Sequence, residues 1–290
     1  MKHRRFTHFA AIDWSGAAGE RQRGIAVALC STGDATPLLV RPGHRWSRAE
    51  VLAWLGEDLP AATLVGCDLS ASLPYADQDA FFPGWDDSPP DARALWALVD
   101  RICQQEPHLG AASFTDHAQA SRYFRRHGGR LGDRFGTGAG RMRRTEDAQR
   151  ALGCRPYSNF NLVGAAQVGK SGLTGMRMLH QLSGRMAIWP FDPLPQTGPV
   201  LVEIYSTIAA MAAGRSASRS KIRTVAELHT ALAALGCTDR SGLEQVDDHQ
   251  ADALVTAAWL RRAAQDARLW SPPALTPQLA KTEGWTFGAV

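Results

Sequence analysis

The sequence predicts an α/β fold: a mixed sheet, with a three-strand meander and then parallel strands, flanked by helices and interrupted by a large, mostly helical or irregular insertion. Three observations predict it. Three short apolar runs separated by turn clusters open the chain, a capped helix leads from the third run to a fourth, and a fifth run with a long capped helix returns late in the sequence. A helix between strands permits a right-handed crossover, so the fourth strand can lie parallel to one of the first three.

His8 to Asp13 is a short apolar run suited to a buried strand, and Ser15 to Gly24 is a glycine-containing turn. Gly24 to Cys30 and Pro37 to Arg41 read as the next two strands, joined by Ser31-Thr32-Gly33-Asp34. Ser47-Arg48-Ala49-Glu50 is a capping box; Val51, Trp54 and Leu55 continue it at helical spacing until Gly56 and Pro60. Ala62 to Asp68 is the fourth strand. Ser88-Pro89-Pro90-Asp91 starts a helix with Leu95, Leu98, Val99 and Ile102 on one face. Val200 to Tyr205 returns to strand, and Thr224-Val225-Ala226-Glu227 caps a helix that Gly236 stops. Asp247 caps the last long helix, with Gln250 at its third position reaching back. The expected organisation is one domain over 1–290: a core at 8–74 and 199–266, an insertion at about 75–198, and a proline-rich tail at 267–290.

At 44% hydrophobic and 21% charged residues the chain reads as a soluble globular protein. No apolar run approaches a membrane span, and the start is too short in apolar residues for a signal core, so no membrane partner and a cytoplasmic location are expected. Five scattered cysteines argue against a disulfide framework or zinc site and for a reducing compartment. Only four of the 32 basic residues are lysine, and arginine forks match phosphate oxygens.

Asp13 and Asp68 each close a predicted strand. If those strands are parallel neighbours, the carboxylates emerge side by side at the carboxyl edge of the sheet, where sites form in open α/β folds. Two carboxylates brought together repel unless a cation or proton lies between them, so Mg²⁺ or Mn²⁺ is expected. Asp248, His249 and Asp252 leave one face of the last long helix within a turn. That spacing serves metal ligation or acid–base work, and equally a capped, solvated first turn. Glu203, amid aliphatic residues, needs an arginine, a metal or a solvent-facing edge, and is a further candidate carboxylate.

Between Arg122 and Arg150 there are nine arginines against three acids, with six glycines and Tyr123, Phe124 and Phe135 among them. A flexible basic loop of this kind tracks a nucleic-acid backbone, with Arg125, Arg126, Arg130, Arg134, Arg141, Arg143 and Arg144 as its contacts. Gly164-Ala165-Ala166-Gln167-Val168-Gly169-Lys170-Ser171 fits the phosphate-cradling pattern G-x-x-x-x-G-K-S. Gly164, Gly169, Lys170 and Ser171 then define the alternative reading, a nucleotide-binding phosphotransferase or NTPase, although the preceding 159–163 makes a poor strand and Ser171-Gly172 an awkward helix opening.

His249-x-x-Asp252-Ala253-Leu254 resembles the metal-binding helix of Holliday-junction resolvase type nucleases. More closely, the series Ala11-Ile12-Asp13-Trp14-Ser15-Gly16, Gly66-Cys67-Asp68-Leu69-Ser70, Glu203-Ile204-Tyr205, Asp252-Ala253-Leu254 and Glu283-Gly284-Trp285 resembles a family of predicted RNase H-like nucleases catalogued as a domain of unknown function. The resemblance covers Phe9 to Pro74 and Pro199 to Gly288. It implies an RNase H-like sheet and two-metal hydrolysis of a phosphodiester: Asp13 bridging two Mg²⁺ ions, Asp68 on one, Asp252 with His249 or Asp248 on the other, and Glu203 as a further ligand or base. Position 249 is histidine where related helices often carry a carboxylate. The partner implied is nucleic acid; a small phosphorylated molecule and non-catalytic nucleic-acid binding are the other readings of the same residues.

Overall fold

The computed structural model describes residues 5–164 and 168–290. In chain order the elements are β1 (His8–Asp13), β2 (Ala26–Ser31), β3 (Leu38–Leu39), α1 (Arg48–Glu57), β4 (Thr63–Asp68), α2 (Ala92–Ile102), α3 (Ala112–Asp116), α4 (Arg144–Ala151), α5 (Val168–Leu182), β5 (Ala187–Trp189), β6 (Val200–Glu203), α6 (Ser206–Ala212), α7 (Val225–Ala234), α8 (Asp248–Ala263), α9 (Ala267–Trp270) and α10 (Pro277–Lys281). The six strands form one sheet in the order β3-β2-β1-β4-β6-β5. β1, β2 and β3 pair antiparallel, whereas β4 runs parallel to β1, β6 to β4 and β5 to β6. The meander followed by parallel strands is the arrangement expected from the sequence.

Alternation along the strands sorts side chains into two cores. Ala10, Ile12, Val65, Cys67 and Leu201 face one side, with Val51 and Leu55 of α1, Leu95 and Val99 of α2, and Met176 and Leu179 of α5. Phe9, Ala11, Leu64, Val200 and Val202 face the other, with Ile208 of α6, Leu228 and Leu232 of α7, and Leu254, Val255 and Leu260 of α8. The sheet is therefore a middle layer with helices on both faces, as parallel strands require. Gly66 of β4 lets α8 come close: a Cβ there would lie 2.8 Å from Leu260 Cδ1 and 2.9 Å from Ile204 Cγ2.

Two expectations about the middle of the chain change. The 75–198 segment is not simply inserted beside the core, because β5 forms an edge of the sheet and α2 and α5 cover one face. Three residues are too few to display a strand period, which is why Ala187–Trp189 escapes a sequence reading. The basic stretch is not one open loop either: its end is α4, and Arg125 bridges Leu131 and Asn161. Among the described residues, no helix is long and apolar enough to cross a membrane.

Candidate functional site

Register places the first two carboxylates. In the parallel β1–β4 pair, Asp13 is the direct partner of Asp68, so both emerge at the same carboxyl edge. Counting in twos from Phe9 and Leu64, both point to the α8 face. α8 starts there because Asp247 accepts from Gln250 N at 2.8 Å and Gln250 Oε1 accepts from Asp247 N at 3.3 Å, a complete capping box. One turn in, Asp252 meets the strand ends. Asp13, Asp68 and Asp252 surround one small cleft with Ser206 and Thr256, too tight as it stands to admit a water molecule.

Each carboxylate has a different partner. Asp13 accepts from His249 Nδ1 at 2.7 Å. Asp252 accepts from the Lys221 ammonium at 2.5 Å. Among the described residues, Asp68 accepts only a long bond, 3.3 Å from Ser206 N at the start of α6. Thr256, one turn beyond Asp252 and 1% exposed, has a hydroxyl without a hydrogen-bond partner among the described residues. His249, not Asp248, therefore joins the cleft by direct contact; Asp248 acts on Asp13 only through space.

Lys221 is the member that sequence reasoning missed. It lies between two helices in a segment without periodicity. One signal was available: only four lysines stand in the chain, and this one precedes Ile222, which is buried and anchors the segment.

Three acids with one lysine leave the cleft short of positive charge. Burial, with Asp13 as the next largest influence, pushes the Asp68 carboxyl up to about 7. Burial pushes Asp252 up to about 6 against the pull of Lys221. Burial also raises Asp13, opposed by the bond from His249. The hydrogen bond to Asp13 raises His249 in turn. Burial disfavours the Lys221 charge, but the attraction of Asp252 outweighs it and raises Lys221.

For stability these carboxyl and imidazole shifts have one sign. A carboxyl that holds its proton more tightly folded than unfolded contributes fully below its unfolded value of about 3.9 and loses that contribution as pH rises through its folded value. Asp252 loses it towards about 6 and Asp68 towards about 7. His249, also raised, contributes below its ordinary value of about 6.5 and loses that above its folded one. In EDTA the melting temperature is expected to fall from about pH 5 to about pH 8, and Asp68→Asn is expected to flatten that fall by about 2–4 °C for each kcal/mol involved. Parallel profiles for the two proteins would contradict the assignment.

Glu203 is elsewhere, and the pleat explains why. Its register partner in β4 is Cys67, not Asp68, so it points to the opposite face. There Oε1 accepts from Arg143 Nη2 and Thr286 Oγ1, both at 2.6 Å, while Oε2 accepts from Arg143 Nη1 and Ala71 N, both at 2.8 Å. Every strong acceptor direction is used, so Glu203 is a structural ion-pair residue and not a ligand or base. Arg143 also donates to Glu146, and its guanidinium is 1% exposed. Glu283 belongs to this network: Oε1 accepts from Tyr75 N and Ala76 N, and Oε2 from Arg144 N. The Glu283-Gly284-Trp285 stretch thus secures the tail to the core.

The expected substrate arginines divide in the same manner. Arg143 is buried as above. Arg141 is 8% exposed and donates to Asp77 and to the carbonyls of Pro74, Ala80 and Phe81. Neither is available to a substrate. Arg126 and Arg130 share Asp116, Arg134 donates to Pro83 O, and Arg144 lies 3.7 Å from Asp147. Arg125 is fixed through its backbone, which donates to Phe160 O and accepts from Leu162 N. The stretch is held largely by its own contacts.

Among the described residues, the Gly-Lys-Ser segment is held by packing and local hydrogen bonds. Ala165 to Gln167 lie outside the described residues. α5 runs through Ser171-Gly172, where the sequence made an awkward helix opening, but the preceding 159–162 is outside the sheet. Gly169 is required by packing, since a Cβ would lie 2.3 Å from Asn159 O. Ser171 Oγ donates to Val168 O at 2.9 Å, and Lys170 Nζ lies 3.3 Å from His127 Nε2. Gly164 adopts a positive φ of 84° at a turn.

For a divalent ion the donor chemistry fits: the carboxylates offer hard oxygen atoms, and Thr256, whose hydroxyl has no partner among the described residues, lines the same cleft. The atoms are not gathered into a coordination sphere: among the described residues, no group of three or more His, Cys, Asp or Glu side chains is placed to hold a metal. Lys221 and His249 hold two of the three acids instead. The chain matches no family model, no curated protein and no solved structure.

Proposed function

We propose that the cleft is the active site of a divalent-metal-dependent phosphodiester hydrolase acting on nucleic acid, with Mg²⁺ or Mn²⁺ as the ion and an RNase H-like reading of the sheet. The observation that carries this is the meeting of Asp13, Asp68 and Asp252 on one face of the sheet edge, with Asp68 lacking any cationic hydrogen-bond partner among the described residues. Structural carboxylates are normally answered as Glu203 is; these three are answered by one lysine and one histidine.

Asp13, Asp68 and Asp252 would hold the ion, taking it in exchange for the Lys221 ammonium. When bound, such an ion makes hydroxide available near neutral pH and stabilises the leaving oxygen. The chain supplies the rest. The paired strand ends fix Asp13 beside Asp68, and the α8 capping box fixes where Asp252 arrives. His249 keeps a proton at Nδ1 against the Asp13 carboxylate and so orients it. Lys221 neutralises Asp252 while the ion is away. Five buried cysteines, none in a disulfide, suit a reducing compartment, and we place the protein in the cytoplasm.

The experiment is cleavage of a panel of single-stranded, duplex, hybrid and branched nucleic acids, with a small phosphodiester ester as comparison. Cleavage of at least one polymer with Mn²⁺ and of none with EDTA is expected. Turnover of the small ester alone would move the assignment to a small phosphorylated molecule, and no turnover of any substrate would overturn it.

A further inference from the structure

We infer that the groove beside the Asp13–His249 pair is the track on which a nucleic-acid backbone lies. The groove has a volume of about 210 Å³ and runs between the start of α8 and the chain on either side of β2. Arg23, Arg41 and Arg45 line it, with Asp247 as the one carboxylate among its described lining residues. His249 lines it as well and reaches Asp13 through Nδ1, so one wall of the groove touches the acid cleft.

The two rims are tied together. Gln22 N donates to Trp46 O at 2.8 Å, and Arg21 bridges Ser47, which fixes the approach to β2 against the turn that precedes α1. Trp46, 1% exposed, anchors that turn. Arg23 and Arg45 follow on these two tied segments, and both are exposed. Arg41 stacks over Trp46 at 4.9 Å and bonds Asp58, so its charge is partly answered. Arg23 and Arg45 have no carboxylate partner among the described residues, whereas the neighbouring Arg21 and His44 share Glu50.

A site that cleaves a phosphodiester must bring a polyanion to a cluster of acids, and repulsion opposes that approach. Fixed cations beside the cluster offset it by taking the flanking phosphates, and arginine forks match their oxygens. Unanswered arginines next to an acid cleft have this arrangement. In the Arg122–Arg150 stretch, by contrast, Arg122, Arg126, Arg141 and Arg143 are each paired with a carboxylate. The choice of a nucleic acid rests on the hydrolase reading of the cleft; the charge of the groove stands without it.

The test uses the full-length Asp13→Asn protein and a fluorescein-labelled single-stranded oligonucleotide in EDTA, followed by anisotropy over a salt series. Arg23→Ala with Arg45→Ala is expected to weaken binding roughly tenfold and to lower the log–log salt slope by about 1.4, two contacts at about 0.7 each. Arg122→Ala with Arg126→Ala, whose charges are already paired with Asp133 and Asp116, is expected to change affinity less than about twofold. Equal effects of the two pairs, the reverse ranking, or no binding by the parent protein would overturn the inference. An acidic peptide competing as well as the oligonucleotide would overturn the choice of nucleic acid. Binding that depends on Arg23 and Arg45, in a protein that with Asp13 intact cuts nothing, would support the groove and remove the hydrolase reading.

Discussion

Asp13→Asn is expected to lower metal-dependent cleavage by about a thousandfold or more, roughly 4 kcal/mol of transition-state stabilisation. The cause is electrostatic. Asparagine keeps the shape and can still accept from His249 Nδ1, which now lies 2.7 Å from Asp13 Oδ2, but it cannot bring a negative charge to a cation shared with Asp68 and Asp252. The same change relieves repulsion, because Asp13 is one reason that Asp68 holds its proton up to about 7. Activity should therefore collapse while the melting temperature at about pH 8 holds or rises. That divergence separates a catalytic role from a structural one. Cleavage within about tenfold of the wild type, measured under the same metal and pH, would remove Asp13 from the mechanism.

The largest expected effect on folding lies on the other face of the sheet. Arg143→Ala leaves Glu146 and Glu203 buried without their shared cation and strips hydrogen bonds from both, as well as one from Glu283 O. Removing one partner of a buried ion pair costs about 3–5 kcal/mol, because the remaining charge stays buried. Two carboxylates are stranded here, so the upper part of that range is expected in a urea titration. Glu203→Gln should cost less, since Glu146 then remains paired with Arg143. A loss under about 1 kcal/mol for Arg143→Ala would mean that the network is not what joins β6, α4 and the tail.

The difference between these two groups of acids was partly legible in the sequence. Asp13 and Asp68 could be paired because each closes an apolar run and a helix-bearing link makes the strands parallel; the observed register is one to one. Asp252 followed from the capping signal at Asp247. Glu203 was legible in principle: the strand period separates it from Asp68 once the β4–β6 register is known, but register between distant strands is not written in either strand alone. The choice between Asp248 and His249 depended on the rotation of α8 against β1, which packing decides. Arg141 and Arg143 show the limit of reading charge from composition. Both stand in a basic run, yet Arg141 pairs with Asp77, 64 residues away, and Arg143 with Glu203, 60 residues away, as well as with the nearby Glu146. Lys221 was hidden for a similar reason, since its contact with Asp252 joins an irregular segment to a helix.

The position of Mn²⁺ in a soaked crystal, located by its anomalous scattering, tests the central claim most directly. The claim predicts a peak bounded by Asp13, Asp68 and Asp252, with the Lys221 ammonium moved away from Asp252. A soaked crystal with no peak in the cleft and Lys221 still on Asp252, or with Mn²⁺ bound only at other carboxylates, would contradict it.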